Sequence, residues 1–458
     1  MNKLLFTSLK SYFILGMCLL YIFDYFIPIN AFYYGLAVFT FFVLVSSMFS
    51  VKIVPRVIGL TLVSLGILIN YRSGNGLFSN LEGLLINLPI LTLLLLVPLI
   101  AIPMKMSGYF QAASYYMDQW KKDSKKTYMG LSGFISLVGP ILNLGSIRIT
   151  HDMVESLKIK PAILAKAYLV GFSTTMLWSP YFASVALVLF YVDVRILDYM
   201  FIGLTLAIIQ LIVGYLLFRS WEKKDKESFS AKEGPKVEKD GEVIYKTKLL
   251  KLASMLAFLI LFLLFLEYIT PLPMLLLVSL IAILFPIVWG LFTTQWGSLR
   301  VEFQQYKERL SGSMNNEIVL FLCAGLFGNA LANSVFANSV EAFITSIASF
   351  SFLVFVLFVI GIISLFAFIG IHQIVVVPIL AMQIDASVIG TSPLALALLF
   401  TLAWSMSSII SPLNATNMLV SGIVKRDGIT IGLMWNGIYV CSMLVFGVVF
   451  ILLLHSFY

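Results

Sequence analysis

The sequence predicts an all-α polytopic membrane protein, with about eleven transmembrane helices and two re-entrant hairpins in two inverted repeats. Three observations carry that prediction. Of 458 residues, 60% are hydrophobic and 11% are charged, whereas soluble domains run near 45–50% apolar and about 25% charged. Apolar runs long enough to cross a bilayer recur along the chain, and the roughly 10-residue alternating strands of a membrane barrel do not. One short pattern, S-P-x-x-A-[S/T], also occurs twice inside such runs. The copies are Ser179-Pro180-Tyr181-Phe182-Ala183-Ser184 and Ser411-Pro412-Leu413-Asn414-Ala415-Thr416, 411 − 179 = 232 residues apart.

A span needs about 20 apolar residues. By that measure the chain crosses at 12–30, 31–50, 54–71, 87–104, 161–190, 198–218, 249–269, 273–292, 317–340, 392–418 and 429–455. Residues 1–30 form a lead helix, retained because its apolar run continues past Phe26 with no small-residue cleavage site. Two further stretches, 131–150 and 351–384, do not fit as single crossings. The first is interrupted by Gly133, Gly139, Pro140 and Gly145, and the second has Gly370 near its middle. Both read as re-entrant hairpins, which membrane depth tolerates only when they are buried in protein or line a wet cavity.

Charge sets the expected orientation. With the N-terminus in the cytoplasm, only Arg72 and Arg195 of the 30 Lys and Arg fall outside. The stretches 105–126, 219–251 and 300–309, with Lys425 and Arg426, then share the cytoplasmic side. This positive-inside bias accounts for the net charge of +8 without a nucleic-acid partner. The stretch 219–248 is dense in both signs of charge and reads as a solvated linker between halves. Cys18, Cys323 and Cys441 stand singly in apolar runs, with neither a disulfide framework nor a metal spacing. The expected halves are 31–218 and 249–458. Each contains three spans, a hairpin, a broken span and a last span, and the two halves enter the membrane from opposite sides.

A proline inside a membrane helix removes a backbone donor, so Pro180, Pro412 and Pro140 are expected helix breaks. Asn143, Gly145 and Ser146 would sit at the first hairpin tip, and His372 and Gln373 at the second. Ser179 and Ser184 at one break face Ser411, Asn414, Thr416 and Asn417 at the other. Freed helix N-termini suit an anion, and unwound carbonyls with Ser, Thr and Asn oxygens suit Na⁺. The bland alternatives are a Ser-Pro kink bonded back to its own helix and glycines that only permit close packing. Arg148, His151 and Asp152 read as an interfacial cluster. Asn329, Asn333 and Asn338 read as one face of span 317–340, with Glu317 and Glu341 as its end charges.

This layout resembles the ion transporter superfamily, and within it the divalent anion–sodium symporter family. The resemblance covers nearly the whole chain. Where that family has Ser-Asn-Thr at its hairpin tips, this sequence reads Asn143-Leu144-Gly145-Ser146 and His372-Gln373. The resemblance implies a homodimeric, elevator-type secondary transporter of a small anion such as a carboxylate, coupled to Na⁺ or H⁺. It implies no cofactor and a bacterial cytoplasmic membrane. The runner-up is an antiporter of the same fold, exchanging cations for protons or anions for each other, with His372 carrying the proton. From other classes come a membrane assembly protein without transport and an enzyme acting on lipid-linked sugars. The second is opposed by short, nearly uncharged exterior loops and by the absence of HExxH and G-x-S-x-G.

Overall fold

Among the described residues, eleven apolar helical segments are of spanning length, and the expected crossings fall on them one for one. The computed structural model describes residues 2–74, 76–224, 239–334 and 336–457, and every regular element among them is helical. Only helices and closed barrels satisfy all backbone groups within lipid, and continuous apolar runs select the helix. The protein is an integral membrane protein of the all-α class.

Lead helix Asn2–Phe26 lies against Asn30–Met48 and is fastened near its start. Lys10 Nζ donates to the Ser46 carbonyl at 3.1 Å, to Ser50 Oγ at 3.0 Å and to Asn315 Oδ1. Spans Ile53–Arg72 and Asn315–Ala332 pack closely along their length. Small residues make that approach possible: a Cβ built on Gly66 would lie 2.3 Å from the Leu326 side chain. Asn87 separates helix Leu77–Ile86 from the fourth span, Leu88–Met106, and its amide donates to the Phe321 carbonyl at 2.9 Å. The Tyr191 hydroxyl donates to the other end of the same side chain, joining the fifth span to this group.

Three of the stretches expected to share the cytoplasmic side, 105–126, 219–251 and 300–309, come together. Lys105 pairs with Glu302 at 3.8 Å, Lys125 with Glu222 at 3.6 Å, and the Tyr115 and Tyr245 rings lie tilted with centroids 4.5 Å apart. At the opposite end, Arg195 pairs with Asp198 at 2.8 Å, and Glu267 accepts the Ile196 N–H at 3.2 Å.

Two helix–turn–helix hairpins stand between the spans. The first consists of Ser124–Leu142 and Gly145–Val154, so its first arm begins earlier than residue 131. Asp123 caps that arm, accepting from the N–H groups of Lys125 and Lys126 at 3.0 and 3.1 Å. The second consists of Phe352–Phe368 and Gln373–Ala381, within the expected 351–384. The arms enter from opposite ends of the molecule. Ser124 bonds Glu222 at the charged end, whereas Phe352 stacks at 3.8 Å on His455, at the far end of the last span.

Three expectations need correction. Pro140 lies inside Ser124–Leu142 rather than at a break. It forfeits one bond, to the Ser136 carbonyl, and the arm ends three residues later at Asn143, whose φ is +50°. Span 317–340 is two elements, Asn315–Ala332 and Ala337–Phe350. Asn333 caps the first, bonding the Asn329 carbonyl at 3.0 Å, while Asn338 and Glu341 belong to the next helix, so the three asparagines share no face. Finally, the linker 219–248 is shorter than read, because 219–224 and 239–248 continue the flanking helices. Its centre, 225–238, lies outside the described residues.

Candidate functional site

Both Ser-Pro motifs break their helices. The fifth span is Pro161–Trp178 followed by Ala183–Val192, and the tenth is Pro393–Ile410 followed by Ala415–Val424. The two spans have matching segments of 18 and 10 residues. A proline opens each first segment, where its missing N–H costs nothing. Ser179 and Ser411 end those segments with extended backbone, at ψ 125° and 120°. Pro180 and Pro412, following them, cannot supply the N–H that would continue the helix.

In the second half, the hairpin tip and the break form one hydrogen-bonded cluster. Gly370 turns the chain at φ +93°, a left-handed conformation that glycine adopts without cost. Gln373 is fully buried; its amide donates to Ser407 Oγ at 2.8 Å and its carbonyl accepts from Asn414 Nδ2 at 3.0 Å. Ser411 Oγ donates to the Ala367 carbonyl at 2.7 Å, fixing the break against the end of the first arm. Asn414 Oδ1 also caps the following half-helix through the Thr416 N–H at 2.9 Å. Asn417 points the other way: its amide donates to the carbonyls of Ile409 at 2.8 Å and Gly428 at 3.1 Å. It thereby fills acceptors that the broken helix leaves open.

His372 is the N-cap of Gln373–Ala381, with Nδ1 accepting the Ile374 N–H at 3.1 Å. An imidazole accepting at Nδ1 is neutral, with its proton on Nε2. Its ring stands edge-on to Trp404, 6.3 Å between centroids.

The first half is built with fewer side-chain bonds. At the tip, Asn143 Oδ1 accepts the Leu144 N–H at 2.8 Å, and Ser146 Oγ donates to the Asn143 carbonyl at 2.6 Å. Gly145 begins the second arm. The tip rests on the broken span at Gly139, where an added Cβ would come within 2.5 Å of Thr175 Cγ2. At the break, Ser179 Oγ accepts the Tyr181 N–H at 3.3 Å, and Ser184 Oγ donates to the Met176 carbonyl at 2.7 Å. The half-helices starting at Gly145 and Ala183 have no side-chain cap, whereas both in the second half are capped by His372 and Asn414. The Ser146 N–H does bond the Asn143 carbonyl at 2.9 Å, and an N-terminus without a side-chain cap keeps its positive potential. Nearby, His151 Nδ1 lies 3.2 Å from the Tyr168 hydroxyl, which ties the 148–152 stretch to the broken span.

The halves meet where the broken spans cross. Ser405 Oγ donates to the Ser173 carbonyl at 2.8 Å, and Ser408 Oγ approaches Met176 Sδ at 3.4 Å. The Tyr199 hydroxyl donates to the Leu177 carbonyl at 2.8 Å and lies 2.7 Å from Thr401 Oγ1. In the second half, tip and break thus share one cluster, whereas in the first Asn143 and Ser146 bond within the tip and Ser179 and Ser184 within the broken span. Ser173, Thr175, Tyr199, Thr401, Ser405 and Ser407 were not anticipated. One signal was available: the polar runs Ser173-Thr174-Thr175 and Ser405-Met406-Ser407-Ser408 precede the two Ser-Pro motifs at the same interval.

No protein-family model matches the chain, and no curated protein matches it. Among solved structures, that of the Alcanivorax borkumensis YdaH transporter is similar, with a TM-score of 0.54 and 19% identity. The match covers 78% of this chain and 83% of that one. At that identity the likeness is one of fold, and it extends over most of both chains.

Proposed function

We propose that the protein is a secondary active transporter of a small anionic solute, a carboxylate in the first instance, working by alternating access with Na⁺ or H⁺ coupling. One observation carries the reading: two spans are broken at corresponding places, each covered by a hairpin tip, and the spans cross beside the breaks. Broken helices at matching points of two halves are how transporters build a midplane site. In this reading 31–218 and 249–458 are inverted repeats with re-entrant hairpins, and the charged end is cytoplasmic. The uncapped N-termini at Gly145 and Ala183 receive the anion. The oxygen-rich second cluster, around Gln373, Ser407, Ser411 and Asn414, is the place for a coupling cation. The hairpins and broken spans move as a unit against the remaining spans, as in an elevator, within a homodimer of the divalent anion–sodium symporter type. Likeness of fold to a transporter supports this over an enzyme or an assembly protein.

The test is a solute panel in proteoliposomes, with inward Na⁺ and H⁺ gradients imposed separately. Gradient-driven accumulation of at least one small carboxylate is expected. Failure of every anion to accumulate under either gradient would remove the reading. Antiport remains the second reading. His372→Gln tests it, because a side chain that carries the proton cannot be replaced by an amide without loss of H⁺-driven flux.

A further inference from the structure

An apolar cavity of about 140 Å³ lies beside the first break, between the first hairpin and span Val243–Ile269. Leu137 and Pro140 line it from the hairpin, Trp178 and Tyr181 from the break, and Ala253 and Ala257 from the span. The hydroxyl of Tyr181, in its lining, is already engaged, donating to the Leu259 carbonyl at 2.8 Å. An apolar space of this size holds no ordered water, which needs two to four polar partners, but it accepts hydrocarbon. Leu137 and Ala257 are both exposed, and at membrane depth the medium they are exposed to is lipid.

Beyond the cavity, an open face of the hairpin's first arm offers a track toward the charged end. Met129, Gly133, Leu137 and Pro140 succeed one another at helical spacing of three and four residues, so they share one face. Met129 is 53% exposed, and a Cβ built on Gly133 would meet nothing within 4 Å. From Met129 to Pro140 is 140 − 129 = 11 residues, roughly 16 Å at 1.5 Å per residue. Half of a ~30 Å hydrocarbon core is about 15 Å, the depth one leaflet's acyl chains fill.

We infer that this track and cavity bind one acyl chain of a phospholipid from the leaflet at the charged end, its terminus seated against Trp178. The inference does not depend on what solute is carried. The chain would lie between the hairpin and a span outside the proposed moving unit, so sliding of that unit would displace it.

The experiment is quenching of Trp178 fluorescence by lipids brominated near the chain terminus. The full-length protein is reconstituted in brominated and ordinary phosphatidylcholine vesicles, and the Trp178→Phe protein is subtracted to isolate Trp178. Quenching of the Trp178 share by half or more is expected. Ala257→Phe, which fills the cavity, and Gly133→Leu, which blocks the track in open space, should each reduce that quenching at least twofold. Either variant suffices if the other fails to fold. Unquenched Trp178, or quenching unchanged in a folded blocking variant, overturns the inference. Uptake is not the readout, so the lipid site and the transport reading fail separately.

Discussion

Ser405 donates its hydroxyl to the carbonyl of Ser173 at 2.8 Å across 232 positions, the interval that also separates Ser179 from Ser411. Ser408 repeats the relation with Met176, again at an interval of 232. Both contacts join residues that stand at the same distance before the two Ser-Pro motifs, so the broken spans cross just ahead of their breaks. Ser405→Ala removes the bond to Ser173 and the longer one accepted from Gln210 Nε2 at 3.5 Å, and should cost about 0.6–1.5 kcal/mol. Reversible denaturation in mild detergent measures it.

Gln373 and Asn414 link the second hairpin tip to the second break. Removing either strands a buried polar partner, so Gln373→Ala and Asn414→Ala should be non-additive, with a coupling of about 0.5–3 kcal/mol. A double-mutant cycle on stability supplies the value. Coupling near zero would mean that tip and break are held independently.

Gly171 lets the first hairpin lie directly on the fifth span. A Cβ there would fall 2.5 Å from the Ser132 carbonyl oxygen and 2.9 Å from its Cα, both backbone atoms that cannot rotate away. Gly171→Ala should destabilise by about 1–3 kcal/mol through this overpacking. Gly133→Ala, on the same hairpin but with open space at its Cβ, should be tolerated. Paired thermal melts compare them.

Asp427 closes the loop after the second broken span, accepting from the Thr430 N–H at 2.8 Å and hydroxyl at 2.6 Å. Those bonds, the hydroxyl's first, hold its carboxyl below the usual carboxylate range. A depressed folded-state value means that the clamp is fully present above the ordinary pKa of about 3.9 and is lost as pH falls below it. The loop carries Gly428, whose carbonyl accepts from Asn417. Asp427→Asn should therefore raise hydrogen exchange across 425–434 at neutral pH.

Much of this was readable beforehand because membrane depth punishes ambiguity. Apolar length located eleven crossings, and a proline after serine located both breaks, since no N–H follows Ser179 or Ser411 to continue the helix. Gly370 marked a tip because the turn there needs positive φ. Pro140 misled: near the end of an arm a missing N–H costs one bond and the helix continues. Asn338 misled because a four-residue interruption between Ala332 and Ala337 carries no proline. Tyr199 and Thr401 were silent for another reason. A polar side chain within a fully buried helix has no exposed face to set it off, and its partner lies some 200 residues away in sequence.

The central claim is that solute passes between the two breaks. Its most direct test is uptake into proteoliposomes by Ser179→Ala, Ser411→Ala and Asn414→Ala proteins, each matched to wild type in amount and shown to be folded at the assay temperature. Each should lose at least tenfold in initial rate for the solute the wild type accumulates. Three variants that transport at the wild-type rate would place the pathway elsewhere in the molecule.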